Sequence, residues 1–160
     1  MAAGIGSRRS SRGFTLVELV ITLVLLSALA VFVVPRLGGV SDFQARGFHD
    51  ETLALLRHAQ KSAIAQRRTV CVLFTASGAR LRLDADRNAG TGTDGCEADL
   101  AGPRGETPAS IAARGSVQYS TTPGALSFDA LGRPSTGLSI QVAGAARQVT
   151  VEAVTGFVHE

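Results

Sequence analysis

This 160-residue chain has no residue pattern that marks a reaction centre. No serine or cysteine stands in a recognisable nucleophile motif, and no glycine loop of the phosphate-cradling kind is present, so an enzyme is not expected. Histidine is scarce: His49, His58 and His159 are the only three, and no two share metal-ligand spacing. Cysteine occurs twice, at Cys71 and Cys96, which allows at most one disulfide. There are no internal repeats. Excess charge is also lacking. Of 16 Lys and Arg, three (Arg8, Arg9 and Arg12) precede Phe14, where no acid stands, so the remainder carries 13 basic and 13 acidic side chains. A neutral chain lacks the broad basic footprint of a nucleic-acid binder. No cofactor is implied.

What the chain does have is one long apolar run. It begins Gly13-Phe14-Thr15-Leu16-Val17-Glu18-Leu19-Val20, continues to Val34 and stops at Pro35. Its 21 residues from Phe14 to Val34 contain a single charge, Glu18. As a helix the run would measure about 32 Å, enough to cross a bilayer. An ionised acid at the bilayer centre costs about 2.5–3.5 kcal/mol, less near the interface, so Glu18 needs a reason. The arginines before the run hold the N-terminus in the cytoplasm and send the rest across. Other readings of the same residues are an ordinary secretory signal cut after Ala28-Leu29-Ala30, a twin-arginine signal at Ser7-Arg8-Arg9, and an uncut signal anchor. The first would place Glu18 inside its apolar region.

The stretch resembles the class III signal of type IV pilins and type II secretion pseudopilins. Cleavage Gly, Phe, Glu and Pro all fall in register. The resemblance implies that prepilin peptidase cuts between Gly13 and Phe14, that Phe14 is N-methylated, and that Glu18, the fifth mature residue, neutralises the N-terminal ammonium of a neighbouring subunit during filament assembly. The chain then divides into a leader (1–13), a transmembrane and assembly helix (14–34) and a periplasmic pilin-like domain (35–160). In that oxidising compartment Cys71 and Cys96 are expected to form one disulfide, the alternative being two free thiols.

Beyond Pro35, Gly38 and Gly39 loosen the helix, and Ser41 or Asp42 would cap a second helical segment. From Phe43 to about Arg67 the pattern is helical, with Leu53, Leu56, Ala59, Ala63 and Ile64 on the apolar side and Arg57, His58 and Lys61 on the wetter one. Val70–Phe74 and Arg80–Leu83 read as a hairpin around a turn from Thr75 to Gly78. Asp84 to Ala113 is a long aperiodic loop. Val117–Tyr119 and Leu126–Asp129 are short strands. Leu138–Val142 and Gln148–Glu152 form a hairpin around Ala143-Gly144-Ala145-Ala146, and Val154–Val158 closes the chain. The expected fold is α+β: a long N-terminal helix, the membrane span continued into an amphipathic helix, packed on a C-terminal antiparallel sheet.

Three phrases resemble the pseudopilin H/FimT-type domain: Leu56-Arg57-His58-Ala59-Gln60-Lys61-Ser62-Ala63, then Phe128-Asp129-Ala130-Leu131-Gly132-Arg133-Pro134-Ser135, and Val151-Glu152-Ala153-Val154-Thr155-Gly156-Phe157-Val158. Their combination is closest to minor pilins of the mannose-sensitive haemagglutinin (MSHA) type. The resemblance implies a minor pilin of a type IV pilus, with prepilin peptidase, other pilins and an inner-membrane assembly platform as partners. Type II secretion pseudopilin H is the alternative. A DNA-binding competence pilin and a membrane-anchored periplasmic enzyme are alternatives of other classes.

Some FimT-type pilins bind DNA through a C-terminal Gly-Arg-x-Arg motif. The matching Gly156-Phe157-Val158-His159 lacks both arginines, so nucleic acid is not an expected partner, although Arg80, Arg82, Arg87 and Arg104 could still gather into a patch. Asp84-Ala85-Asp86-Arg87-Asn88 spaces oxygen ligands like a calcium loop, with Asp94, Glu97 and Asp99 following. Ala89 and Gly95 stand where such a loop needs Gly and a bidentate Glu, so a solvated acidic loop is the expectation. Arg133, in a Gly-Arg-Pro turn, is a candidate for contact with a partner.

Overall fold

The structure, a computed structural model, describes residues 14–33, 39–85 and 95–160. Gly13, Pro35, Gly38, Arg87, Asp94 and most of the calcium-like loop therefore lie outside the described residues. The chain divides into two compact units, one ending at Gly38 and the other running from Gly39 to Glu160.

In the first unit, helix α1 spans Leu16–Val33. It contains no Gly or Pro, and Thr15 starts it: the Glu18 amide donates to Thr15 Oγ1 at 3.2 Å. Thr15-x-x-Glu18 is the sequence of a capping box, and Glu18 also sits where a carboxylate favours the helix dipole. Leu16, Val17, Leu19, Val20, Ile21, Leu23, Val24, Leu25, Leu26 and Leu29 are all exposed, so the helix is apolar all round. Among the described residues no helix is long and apolar enough to cross a membrane. The 18 residues of α1 give about 27 Å, slightly less than the roughly 30 Å hydrocarbon core. The 21-residue run that suggests a span extends beyond both ends of the helix.

The second unit opens with α2, Gly39–Gln66. It begins before Ser41 and Asp42, which therefore lie in its first turn and do not cap it as expected. It ends in a Schellman motif. The Arg68 amide donates to Ala63 O and the Arg67 amide to Ile64 O, with Arg67 in the left-handed region at φ 50°. Leu53, Leu56, Ala59 and Ala63 face the core as their spacing implies, whereas Ile64 is half exposed, one residue further round the helix.

Two antiparallel sheets meet α2, where a single one was expected. The first contains β1 (Val70–Thr75), β2 (Gly78–Leu83), β3 (Ala98–Asp99), β4 (Ser110–Ala112) and β5 (Leu126–Phe128), in the order β3-β2-β1-β5 with β4 also on β2. The second contains β6 (Leu138–Gln141), β7 (Gln148–Val151) and β8 (Val158–His159), in chain order. The β1–β2 and β6–β7 hairpins follow the expected boundaries closely, with Val70 opposite Leu83 and Leu138 opposite Val151.

Three expectations fail for one reason, strand brevity. The stretch Asp84 to Ala113 is not wholly a loop: β4 pairs Ser110 with Arg80, and β3 pairs Asp99 with Arg82, sharing one edge of β2. Val117–Tyr119 is not a named strand but a single bridge, Tyr119 to Val142, that stitches the two sheets together. At the end of the chain, Val154–Val158 turns through Thr155 and Gly156 before β8 begins at Val158. Two or three residues carry no readable period. Both sheets and α2 share one core, with Leu56, Leu81, Leu126, Phe128, Ile140, Val149 and Val158 among its buried members.

Candidate functional site

In α1 the residues with proposed assembly roles are open. Phe14, just before the helix, is 77% exposed, Glu18 lies in the first turn, and the apolar side chains after it as far as Leu29 are uncovered among the described residues. A helix that is apolar all round must find an apolar environment outside itself. The Thr15 cap adds something that family resemblance did not suggest: the Thr15 hydroxyl starts the helix by accepting from the backbone amide of Glu18.

In the second unit, the three phrases that carried the pilin resemblance converge on one side chain. Gln60 Nε2 donates to Gly132 O at 3.1 Å and to Thr155 O at 3.2 Å. Gly132 and Gly156 both have positive φ, at 79° and 70°. A Cβ at Gly156 would lie 2.2 Å from Gly132 O, and one at Gly132 would lie 2.6 Å from Ile64 Cδ1. Neighbouring Arg57 Nε donates to Val158 O at 3.1 Å. The phrases are thus a clamp that ties α2 to the turns before β6 and β8. Within it Asp129 caps its own turn, accepting from the Leu131 and Arg133 amides at 2.9 and 2.8 Å. Arg133 reaches back to the same carboxylate at 3.3 Å, so this candidate partner contact is engaged within its own turn.

Cys71 and Cys96 are joined in a disulfide, with Cα atoms 6.2 Å apart. It fastens the end of the stretch after β2 to the centre of the first sheet. In the chain-entropy model, closing a 25-residue loop contributes about 3.5 kcal/mol.

Among the described residues the remaining candidates do not assemble. Asp84 is buried rather than solvated, its amide bonded to Thr69 O. Glu97 and Asp99 are held near Arg82, which pairs with Asp99 at 3.7 Å and donates to Glu97 O. Of the four arginines that could form a basic patch, Arg82 is thereby engaged by Asp99 and Glu97 and Arg87 lies outside the described residues. His58 Nε2 meets Ala101 O at 3.2 Å. His159 packs on Phe157 and bonds Glu152 Oε1 at 2.9 Å, which raises its pKa above the usual histidine value.

Residues 8–34 match the family model described as the prokaryotic N-terminal methylation motif, and residues 50–155 match that of type II transport protein GspH. No curated protein and no solved structure matches the chain.

Proposed function

The chain belongs to the type II transport protein GspH family, and on that premise we propose that it is a minor pilin of a type IV, MSHA-like pilus. In this reading prepilin peptidase cuts between Gly13 and Phe14, Phe14 is N-methylated, and the mature chain is incorporated into, or primes, a pilus-like filament. It acts by assembly, with other pilins and an inner-membrane platform as partners, and not by catalysis. The apolar run inserts in the inner membrane with the N-terminus cytoplasmic and the second unit periplasmic.

The observation that carries this reading is the occurrence on one chain of the methylation motif and the GspH domain. The all-round apolar α1 supports it, because such a surface suits first a bilayer and then packed neighbouring subunits. Glu18 fits as well, since an acid and an ammonium in apolar surroundings are each costly alone and tolerable as a pair. A second reading, pseudopilin H of a type II secretion system, is favoured by the family's own description.

Intact-mass measurement of the membrane-extracted protein tests the proposal. The expected product has 147 residues, the 160 of the sequence less the leader, and begins at N-methylated Phe14. A mature start at Val31 would mean ordinary signal peptidase and would sink it. Glu18→Ala should be cleaved normally yet be depleted from sheared filaments. Co-purification with pilus or with secretion components separates the two readings.

A further inference from the structure

Among the described residues, the second unit leaves five large apolar side chains exposed: Phe43, Ile64, Leu131, Val154 and Phe157. Four of them gather at one place. A Cβ at Gly132 would lie 2.6 Å from Ile64 Cδ1, and one at Gly156 would lie 2.2 Å from Gly132 O. Leu131, Ile64 and Phe157 therefore flank the same clamp, with Val154 just upstream in the turn that holds Gly156. Leu131 and Val154 project furthest, at 68% and 80% exposure. Beside them Arg57, Gln60, Lys61, Phe157 and Val158 line an open cavity of about 340 Å³. Arg57 and Lys61 belong to a stretch, Thr52 to Leu83, that contains no acid. Among the described residues neither forms an ion pair. The acids of the two turns are already engaged, Asp129 by Arg133 and Glu152 by His159. This end of α2 is about 37 Å along the helix from Gly39, where the chain enters the unit. A gathered apolar group of this kind on a folded surface marks an interaction site.

We propose that this end of the second unit docks on an anionic lipid surface. Ile64, Leu131, Val154 and Phe157 enter the boundary between headgroups and acyl chains, and Arg57 and Lys61 hold a phosphate headgroup in the cavity beside Phe157. Apolar side chains that insert and cations that stay at headgroup level are the two contributions that hold a protein to an anionic bilayer. The long stems of Arg57 and Lys61 let their charged heads remain at that level while the apolar group sinks. The four side chains project from three separate segments around the cavity, which suits a deformable surface better than a rigid one. A second copy would bring the same cations to a two-fold contact through this face, and like charges would oppose it. With two cations and four partly inserted side chains the contact is weak and reversible. It does not depend on whether the chain enters a filament.

The test uses the full chain reconstituted in phosphatidylcholine nanodiscs, mixed with vesicles of phosphatidylglycerol or of phosphatidylcholine and separated by flotation. Loaded nanodiscs should float with the phosphatidylglycerol vesicles alone and be released by high salt. Lys61→Gln should weaken binding about fivefold, the worth of one cation at an anionic surface. The Leu131→Ser/Val154→Ser variant should weaken it about tenfold or more, with an unchanged melting temperature because both positions are exposed. Duplex DNA, which offers phosphate without an apolar phase, should not compete. No flotation with phosphatidylglycerol, equal flotation with phosphatidylcholine, binding indifferent to Leu131→Ser/Val154→Ser, or displacement by duplex DNA would each overturn the assignment. Pairing of loaded nanodiscs without vesicles, abolished by the same substitutions, would give the face to a second copy and overturn it as well.

Discussion

At the scale of the residue, Tyr119 shows how one polar group is accommodated in an apolar core. It is the only tyrosine in the chain and is 3% exposed. Its ring packs against Phe48 and Phe74 at centroid distances of 4.8 and 5.9 Å. Its hydroxyl meets Thr52 Oγ1 at 3.1 Å, and Thr52 in turn donates to Phe48 O. Burial pushes its pKa up to about 12 from 10.0, against a smaller lowering by the Thr52 bond. A raised pKa means that the native state resists ionisation. The associated stability is fully present below pH 10 and is lost as pH rises through about 12. The phenolate absorbance of the native protein should therefore appear well above pH 10, and in urea it should appear near the ordinary tyrosine value. Tyr119→Phe should cost about 1 kcal/mol, measured by urea denaturation. Gly156 is the sharper case. Alanine there would combine φ 70° with a Cβ 2.2 Å from Gly132 O. The expected loss is about 2 kcal/mol or more, with Gly105→Ala as a control, because its φ is also positive but nothing lies within 4 Å of its Cβ.

At the scale of the element, α2 ends without the residue that such an ending favours. The Schellman bonds from Arg67 and Arg68 place Arg67 at φ 50°, where glycine is usual. Arg67→Gly should therefore stabilise the second unit by about 0.5–1 kcal/mol in thermal melts, because the strained position is relieved at the helix end rather than in its interior. A loss of stability would show instead that the exposed arginine makes a compensating contact. The β2 edge shows the complementary effect. β3 and β4 are too short to stand alone, yet each is held by pairing to β2 and by a buried neighbour, Leu100 after β3 and Ala109 before β4. The Leu81 amide donates to Ala109 O, and the Leu100 amide donates to Leu81 O. These segments are strands because β2 offers them an edge.

At the scale of the whole molecule, acids and bases are equal in number from Phe14 onward, and three arginines of the second unit are paired with acids. Arg82 pairs with Asp99, Arg133 with Asp129, and Arg147 with Glu160. Phosphate contacts supply nearly all non-specific DNA affinity, and such contacts need clustered free cations. The unit Gly39–Glu160 should therefore bind duplex DNA no tighter than roughly 10⁻⁴ M at physiological salt. Micromolar, salt-sensitive binding in a gel-shift titration would overturn this and would make Arg80, Arg82, Arg87 and Arg104 the first residues to mutate.

The sequence by itself determined whatever is local and contiguous. The N-terminal methylation motif over residues 8–34 is legible because the spacing of Gly13, Phe14 and Glu18 carries it. The α2 stripe and the two hairpins were legible because helix and strand periods repeat over enough residues, or because Gly144 marks the turn. Tertiary structure alone decided what depends on distant segments. It split the strands into two sheets and drew β3 and β4 out of an aperiodic stretch. It brought Gln60 to turns 72 and 95 residues away, and it gathered Ile64, Leu131 and Phe157 around it. A single chain position cannot signal such partners, because the energy lies in packing and pairing that exist only once the core has closed around α2.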